Sequence, residues 1–241
     1  MRNIFINLYL TINKLLSFFG IKIEYIGRKK YERMREQWFN VLVDVWASRW
    51  QSIEYRRSML SKDIEIYSFE PIKSDFLILQ KKYWNNQMIK LYNMWLGHKV
   101  YKTIINLGDS RDSSSILQPT NKQLDTYGQS FTETEEITIS TLDDIFWSDL
   151  NWKKILMKID VQGFELEVLK WWYKFLKHTS MVIIESSYIE LYKWQPLFDD
   201  VYEHMKDQWF SYIWTHYQSI SPKNGQPMQQ DSIFINNIET I

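Results

Sequence analysis

The run Val41-Leu42-Val43-Asp44-Val45 is short and mostly apolar, the pattern of a strand buried on both faces of a parallel sheet. Reading outward from it, Ile53 to Leu60 has helical patterning and Ile64 to Phe69 reads as a second strand ending in Glu70-Pro71. A helix over Ser74 to Tyr83 and a third strand over Met88 to Tyr92 follow. Residues 98–140 break the alternation. Val100 to Leu107 and Glu136 to Ile139 are strand-like, and the polar stretch Pro119 to Thr134 between them reads as the mobile loop of an inserted β-hairpin.

The alternation then resumes, with a strand over Lys154 to Ile159, a helix over Phe164 to Leu176 and a strand over Met181 to Ile184 before Glu185. Leu197 to Lys206 reads as helix, and Phe210 to Thr215 and Ser232 to Asn236 as strands. Strands alternating with helices predict an α/β domain of Rossmann-like type, a mostly parallel sheet with helices on both faces. No repeat or linker divides residues 38–241, which read as one domain. Residues 1–37 read as an N-terminal amphipathic helical extension.

That extension holds an apolar run from Ile4 to Ile23, interrupted by Asn7, Asn13 and Lys14. The interruptions break the ~20 apolar residues that a membrane span needs. Packing on the domain or between copies of a homo-oligomer is the favoured reading. Weak contact with a membrane surface is the other. The charges balance, 29 basic against 29 acidic residues, so no overall field favours nucleic acid. There is no cysteine, which suits a reducing cytoplasm, and the four histidines are scattered singly, so no metal site can be read from spacing.

In open α/β sheets, ligands bind beyond the carboxyl ends of the strands. Three acids obey that rule: Asp44 near the end of the first strand, Glu70 after the second, and Asp160 after the strand over Lys154 to Ile159. Glu70 is placed to accept hydrogen bonds from ribose hydroxyls, although a strand-end acid can also cap the next helix. Proton-accepting candidates at the rim are Asp160, Glu165, Glu185, His216 and Asp231, with Asp160 first; His216 reads better as a surface residue. The Ser113-Ser114-Ser115 run could present hydroxyls toward a cofactor or acceptor, but reads better as an ordinary serine-rich turn. Neither a Gly-Lys-Ser/Thr phosphate loop nor a Gly-x-Ser-x-Gly elbow occurs, which excludes the commonest phosphoryl-transfer and hydrolase motifs.

Several segments resemble the FkbM-type methyltransferases. They are Val43-Asp44-Val45-Trp46-Ala47-Ser48-Arg49-Trp50-Gln51, Tyr67-Ser68-Phe69-Glu70-Pro71, and the run Lys158-Ile159-Asp160-Val161-Gln162-Gly163-Phe164-Glu165-Leu166-Glu167-Val168-Leu169. Glu185 and Gln230-Asp231-Ser232-Ile233-Phe234-Ile235 also match, so the resemblance spans roughly 38–237. It implies a class I methyltransferase fold with a seven-stranded sheet whose last strand is antiparallel. It also implies S-adenosyl-L-methionine as methyl donor and a hydroxyl acceptor, frequently on a sugar, glycan or secondary metabolite. Asp44, Trp46, Ala47, Ser48, Glu70, Pro71 and Asp160 would then line the cofactor, with Asp160 and Glu185 catalytic.

The chain departs from that family in one systematic way. Trp46 and Trp50 stand where the first turn should have glycine, so that the backbone can approach the cofactor. Tryptophan also sits at glycine-like places at 84, 171, 194 and 209, and 38, 95, 147, 152, 172 and 214 would hold glycine unremarkably. Glycine numbers only seven and tryptophan twelve; together they make an ordinary glycine share of about 8%. UGA is read as tryptophan in one variant genetic code and as glycine in another. Glycine encoded by UGA at many or all twelve positions is therefore the expected reading. The alternative is a Rossmann-like binding protein whose tryptophans have killed catalysis. A nicotinamide-dependent oxidoreductase is a further rival, but the Gly-x-x-x-Gly spacing at 46 and 50, even with glycine restored, does not match Gly-x-Gly-x-x-Gly.

Overall fold

A computed structural model describes residues 39–47, 53–54, 56–57, 60, 63–146, 154–221 and 223–237. These residues fall in one compact unit, Trp38–Ile241. The helical extension read over residues 1–37 lies outside the described residues, as do Ser48 and Trp50.

Seven strands form the main sheet: β1 (Val41–Val45), β2 (Glu65–Phe69), β3 (Ile89–Tyr92), β7 (Ile155–Ile159), β8 (Thr179–Ser187), β9 (Phe210–Ile220) and β10 (Pro227–Asn236). Their order is β3-β2-β1-β7-β8-β10-β9. All neighbours from β3 to β8 run parallel, and β10 runs antiparallel to both β8 and β9. This is the sheet expected from the alternation and the resemblance. β1 and β7 lie at its centre and are buried at every position, because helical layers and the inserted sheet leave no face to water. Fully burying a valine, leucine or isoleucine side chain contributes about 1.5–3 kcal/mol, so these two short strands anchor the core.

The main helices are α1 (Lys73–Tyr83), α2 (Asn121–Tyr127), α3 (Leu142–Phe146), α4 (Glu165–Leu169), α5 (Tyr173–Leu176) and α6 (Phe198–Asp207). The helix expected over Phe164 to Leu176 is thus two short helices, α4 and α5, with a turn at Lys170 to Trp172 between them. Trp172 is buried there, and its indole N–H donates to the Gly97 carbonyl at 3.3 Å, which fixes the break.

The inserted region is richer than the hairpin expected. β5 (Tyr101–Leu107) pairs antiparallel with β6 (Glu133–Ser140), and the two-residue β4 (Trp95–Leu96) adds to β6 in parallel. The stretch Pro119 to Thr134, read as a mobile loop, contains α2, and a 3-10 turn, Arg111–Ser113, precedes it. Thr120 caps α2 by accepting the Gln123 N–H, and Gly128 ends it in a left-handed conformation. The segment before α2 is tied to the loop after β8: Thr120 N–H donates to the Leu191 carbonyl and Lys193 N–H to the Gln118 carbonyl, both at 2.8 Å. Among the described residues, no helix is long and apolar enough to cross a membrane.

Candidate active site at the carboxyl ends of β1, β7 and β8

From β1 the chain steps outward to β2 and β3, then returns to β7 on the other side of β1. The reversal puts the crevice over the carboxyl ends of β1 and β7, where open α/β sheets bind ligands. Asp44, Glu70 and Asp160 come from three adjacent strands around it. Glu185 and Asp231, in register on β8 and β10, extend the same edge.

Lys158 organises the acids. It shares a strand face with Asp160 two residues on, and its buried ammonium lies 2.6 Å from Asp231 Oδ1 and 3.4 Å from Asp160 Oδ2. Burial works against its charge, but Asp160, Asp231 and Glu185 outweigh that and hold the lysine protonated. Burial likewise raises the Asp160 pKa, yet Lys158, the Gln162 amide and Arg56 prevail and keep it below the usual carboxylate range. Glu185 goes the other way. Burial first, then the charges of Asp160 and Asp231, push its pKa well above that range, although Lys158 opposes them. Two carboxyl groups of one site are thereby driven apart, the arrangement that separates an anion from a proton carrier.

Gln162 joins them. Its amide Nε2 donates to Asp160 Oδ1 at 2.8 Å and to Glu185 Oε2 at 2.6 Å, while Gln229 Nε2 donates to the same Glu185 oxygen at 3.0 Å. Gln162 and Gly163 are consecutive left-handed residues, with φ of 47° and 96°. The resulting turn folds the glutamine side chain back over the strand ends. A Cβ at Gly163 would lie 3.0 Å from Gln195 Cβ and 3.1 Å from a Leu117 methyl group, so glycine is required there for space as well as for conformation. Glu165 braces the turn from beneath, its Oε1 accepting the N–H groups of Val161 at 3.2 Å and Gly163 at 3.0 Å. Burial raises its pKa to about 7, against the lowering effect of those bonds.

The wall above Gln162 comes from the insertion and the loop after β8. The buried Tyr192 hydroxyl donates to the Ser113 carbonyl at 2.7 Å, lies 3.0 Å from Gln162 Oε1, and accepts from Gln123 Nε2 at 3.1 Å. Ser115 Oγ donates to the Gln162 carbonyl at 2.7 Å and accepts the Leu117 N–H, and Ser114 Oγ accepts the Gly108 N–H. The serine run is therefore spent on holding the loop, as its reading as a turn expected. Gln195 Oε1 accepts the N–H groups of Leu191 and Tyr192 and shapes the opposite loop.

Asp44 is wholly buried and ion-paired with Arg56; burial raises its pKa, and Arg56 and Lys158 oppose that rise. Glu70 is fully buried, and its Oε1 accepts the Ile72 N–H at 2.8 Å, bracing the turn before α1, whose N-cap, Ile72, has no side-chain cap. Asn93 Nδ2 holds the carbonyls of both Glu70 and Pro71 at 2.9 Å. Ala47 N–H donates to the Phe69 carbonyl at 2.8 Å, tying the turn after β1 to β2. Asp231 is engaged by Lys158. His216 lies within β9, separated from β7 by β8 and β10, and does not join the cluster.

A dissociable S-adenosylmethionine fits one half of this site. Strand-end acids on β1, β2 and β7 surround the switch point, where open α/β sheets offer acceptors to ribose hydroxyls. The other half does not fit. Trp46 occupies the turn after β1 with φ of 77°, and its indole is buried against Trp95 at a ring separation of 5.2 Å.

A Rossmann-like sheet with this strand order and an acid cluster over its switch point defines the class. The chain matches the methyltransferase FkbM domain over residues 39–212 and belongs to that family. No curated protein matches it. Among solved structures it is similar to a methyltransferase FkbM from Methylobacillus flagellatus KT, at 15% identity and a TM-score of 0.49, covering 82% of this chain and 43% of that one. The chain thus spans less than half the length of that relative. It is also similar to the 1,6-didemethyltoxoflavin-N1-methyltransferase of Burkholderia thailandensis, solved with 1,6-didemethyltoxoflavin and S-adenosylhomocysteine. That likeness has 6% identity and a TM-score of 0.46, over 98% of this chain and 87% of that one. The magnesium protoporphyrin IX methyltransferase of Synechocystis, solved with bound S-adenosylmethionine, is similar at 8% identity and a TM-score of 0.45, over 94% and 91% of the two chains.

Proposed function

We propose that this chain is an S-adenosylmethionine-dependent methyltransferase acting on a hydroxyl group of a sugar, glycan or secondary-metabolite acceptor, in the cytoplasm. The observation that carries the reading is the Asp160–Gln162–Glu185 bridge over adjacent strand ends, with the two carboxyl pKa values driven in opposite directions. Family membership supports the methyl-transfer part. When bound, S-adenosylmethionine supplies an electrophilic methyl group. The chain's task is then to orient a hydroxyl and take its proton. Asp160, held ionised by Lys158, accepts the hydroxyl's hydrogen bond and aims it. Glu185, whose raised pKa makes it the stronger base once ionised, takes the proton.

The test uses the full chain carrying Trp46→Gly and Trp50→Gly, incubated with isotope-labelled S-adenosylmethionine and a panel of sugars, glycans and polyketides. Label appearing on an acceptor oxygen is the expected result. Calorimetry with S-adenosylhomocysteine and with NAD separates the rivals: binding of NAD alone would make the chain an oxidoreductase, and binding of neither would make it a non-catalytic member of the family.

A further inference from the structure

Among the described residues, four that are not glycine have a left-handed backbone, and three of them are tryptophans: Trp46 at φ 77°, Trp194 at φ 67° and Trp209 at φ 67°. Gln162 is the fourth. Glycine itself takes this conformation at three places, Gly128, Gly163 and Gly225. Tryptophan is thus as frequent there as glycine. That is contrary to its chemistry, because a Cβ crowds the carbonyl in this region and only asparagine, aspartate and histidine visit it with any ease. No asparagine, aspartate or histidine of the described residues does so here.

Each of the three sits in a turn that calls for glycine. Trp209 follows the C-cap of α6, and its N–H closes the helix end by donating to the Lys206 carbonyl at 3.0 Å. Gly128, the C-cap of α2, closes that helix in the same left-handed conformation, donating to the Leu124 carbonyl at 2.9 Å. Trp194 turns the loop after β8, with its N–H on Glu190 Oε1 at 2.9 Å. The indoles of Trp194 and Trp209 are 89% and 66% exposed, so burial gives nothing to offset the backbone strain. Trp46 makes the turn between β1 and the crevice.

We infer that positions 46, 194 and 209 are glycine in the protein as its own cell makes it, specified by UGA codons that the cell reads as glycine. The balance of seven glycines against twelve tryptophans agrees with the same codon assignment at further positions. Glycine at 46 removes the indole from the turn over the switch point. The volume it vacates is where the methionine end of the cofactor would lie. This last consequence rests on the methyltransferase reading; the assignment of glycine does not.

Mass spectrometry of the protein purified from its source organism tests the assignment directly. Peptides carrying glycine at 46, 194 and 209 are expected, and tryptophan there would overturn the inference. Chains with no substitution, with Trp46→Gly plus Trp50→Gly, and with Trp194→Gly plus Trp209→Gly provide a second test. The exposed pair Trp194→Gly plus Trp209→Gly should melt at higher temperature than the unsubstituted chain, and an unchanged or lower midpoint would overturn the backbone argument. Calorimetric binding of S-adenosylhomocysteine should appear with Trp46→Gly plus Trp50→Gly and not with the exposed pair. Glycine found in the native peptides, with no binding by the chain carrying glycine at both 46 and 50, would uphold the glycine assignment and end the methyltransferase reading.

Discussion

Glu185 and Asp160 are two carboxylic acids in one site with opposite tendencies, and the pH dependence of activity should show it. A base works only when ionised, so the rate should rise with pH through the elevated Glu185 pKa and be lost below it. Asp160→Asn removes a charge that raises that pKa. The limb of the pH–rate profile should therefore move to lower pH in whatever activity remains, whereas Glu185→Gln should abolish the limb. An identical limb in Asp160→Asn would separate the two groups. Glu165 yields a prediction about stability instead. Its pKa is about 7 in the fold against 4.5 for the free side chain, so the native state holds its proton longer than the unfolded chain does. Stability is thus full below 4.5 and falls as pH rises to about 7, by on the order of 3 kcal/mol at about 1.4 kcal/mol per pH unit. Glu165→Gln keeps an oxygen for the Val161 and Gly163 N–H groups and removes the titration. Denaturant unfolding at pH 5 and pH 8 should find the variant more stable than the parent only at the higher pH.

At the scale of elements, the site depends on a loop-to-loop joint. The Tyr192 hydroxyl meets the 3-10 turn, α2 and the Gln162 turn at once. Tyr192→Phe strands buried partners from all three, so it should cost about 1–3 kcal/mol, measurable by equilibrium unfolding. This joint is also where sequence and structure part company. β1 and β7 are legible as five-residue apolar runs because burial on both faces writes itself into composition. Gln162 and Tyr192 are not legible, since their roles arise from a left-handed turn and from contacts 30 residues apart. α2 was within reach: Thr120 followed three residues later by Gln123 is a helix-start signature, hidden by the polarity of the stretch around it. The break between α4 and α5 has a local trace only in the glycine-like position of Trp171, while what holds it is Trp172 on Gly97, 75 residues away.

At the scale of the whole molecule, the strand order places Glu70 beside the crevice, and its site role can be separated from its hold on the turn before α1. Glu70→Gln keeps an oxygen for the Ile72 N–H and removes the charge that ribose hydroxyls would meet. In the Trp46→Gly background the variant should lose about 1.5–3 kcal/mol of S-adenosylhomocysteine affinity by calorimetry, the scale of a charge-assisted hydrogen bond. An unchanged dissociation constant would leave Glu70 as a brace of that turn alone.

The place of β10 bears on how the protein comes into being. Although last among the strands in the chain, it inserts between β8 and β9 and brings Asp231 to Lys158 and Gln229 to Glu185. Chains grow from the amino end, and domains fold as units when their last element leaves the ribosome. Until residues 227–236 emerge, β9 has no partner and Glu185 lacks one of its two amide donors. A nascent chain therefore holds the acids of β1, β2 and β7 well before it holds a working site. Translation halted short of this strand would release a chain that carries the acids of β1, β2 and β7 but lacks the strand that pairs β9 and brings Gln229 to Glu185.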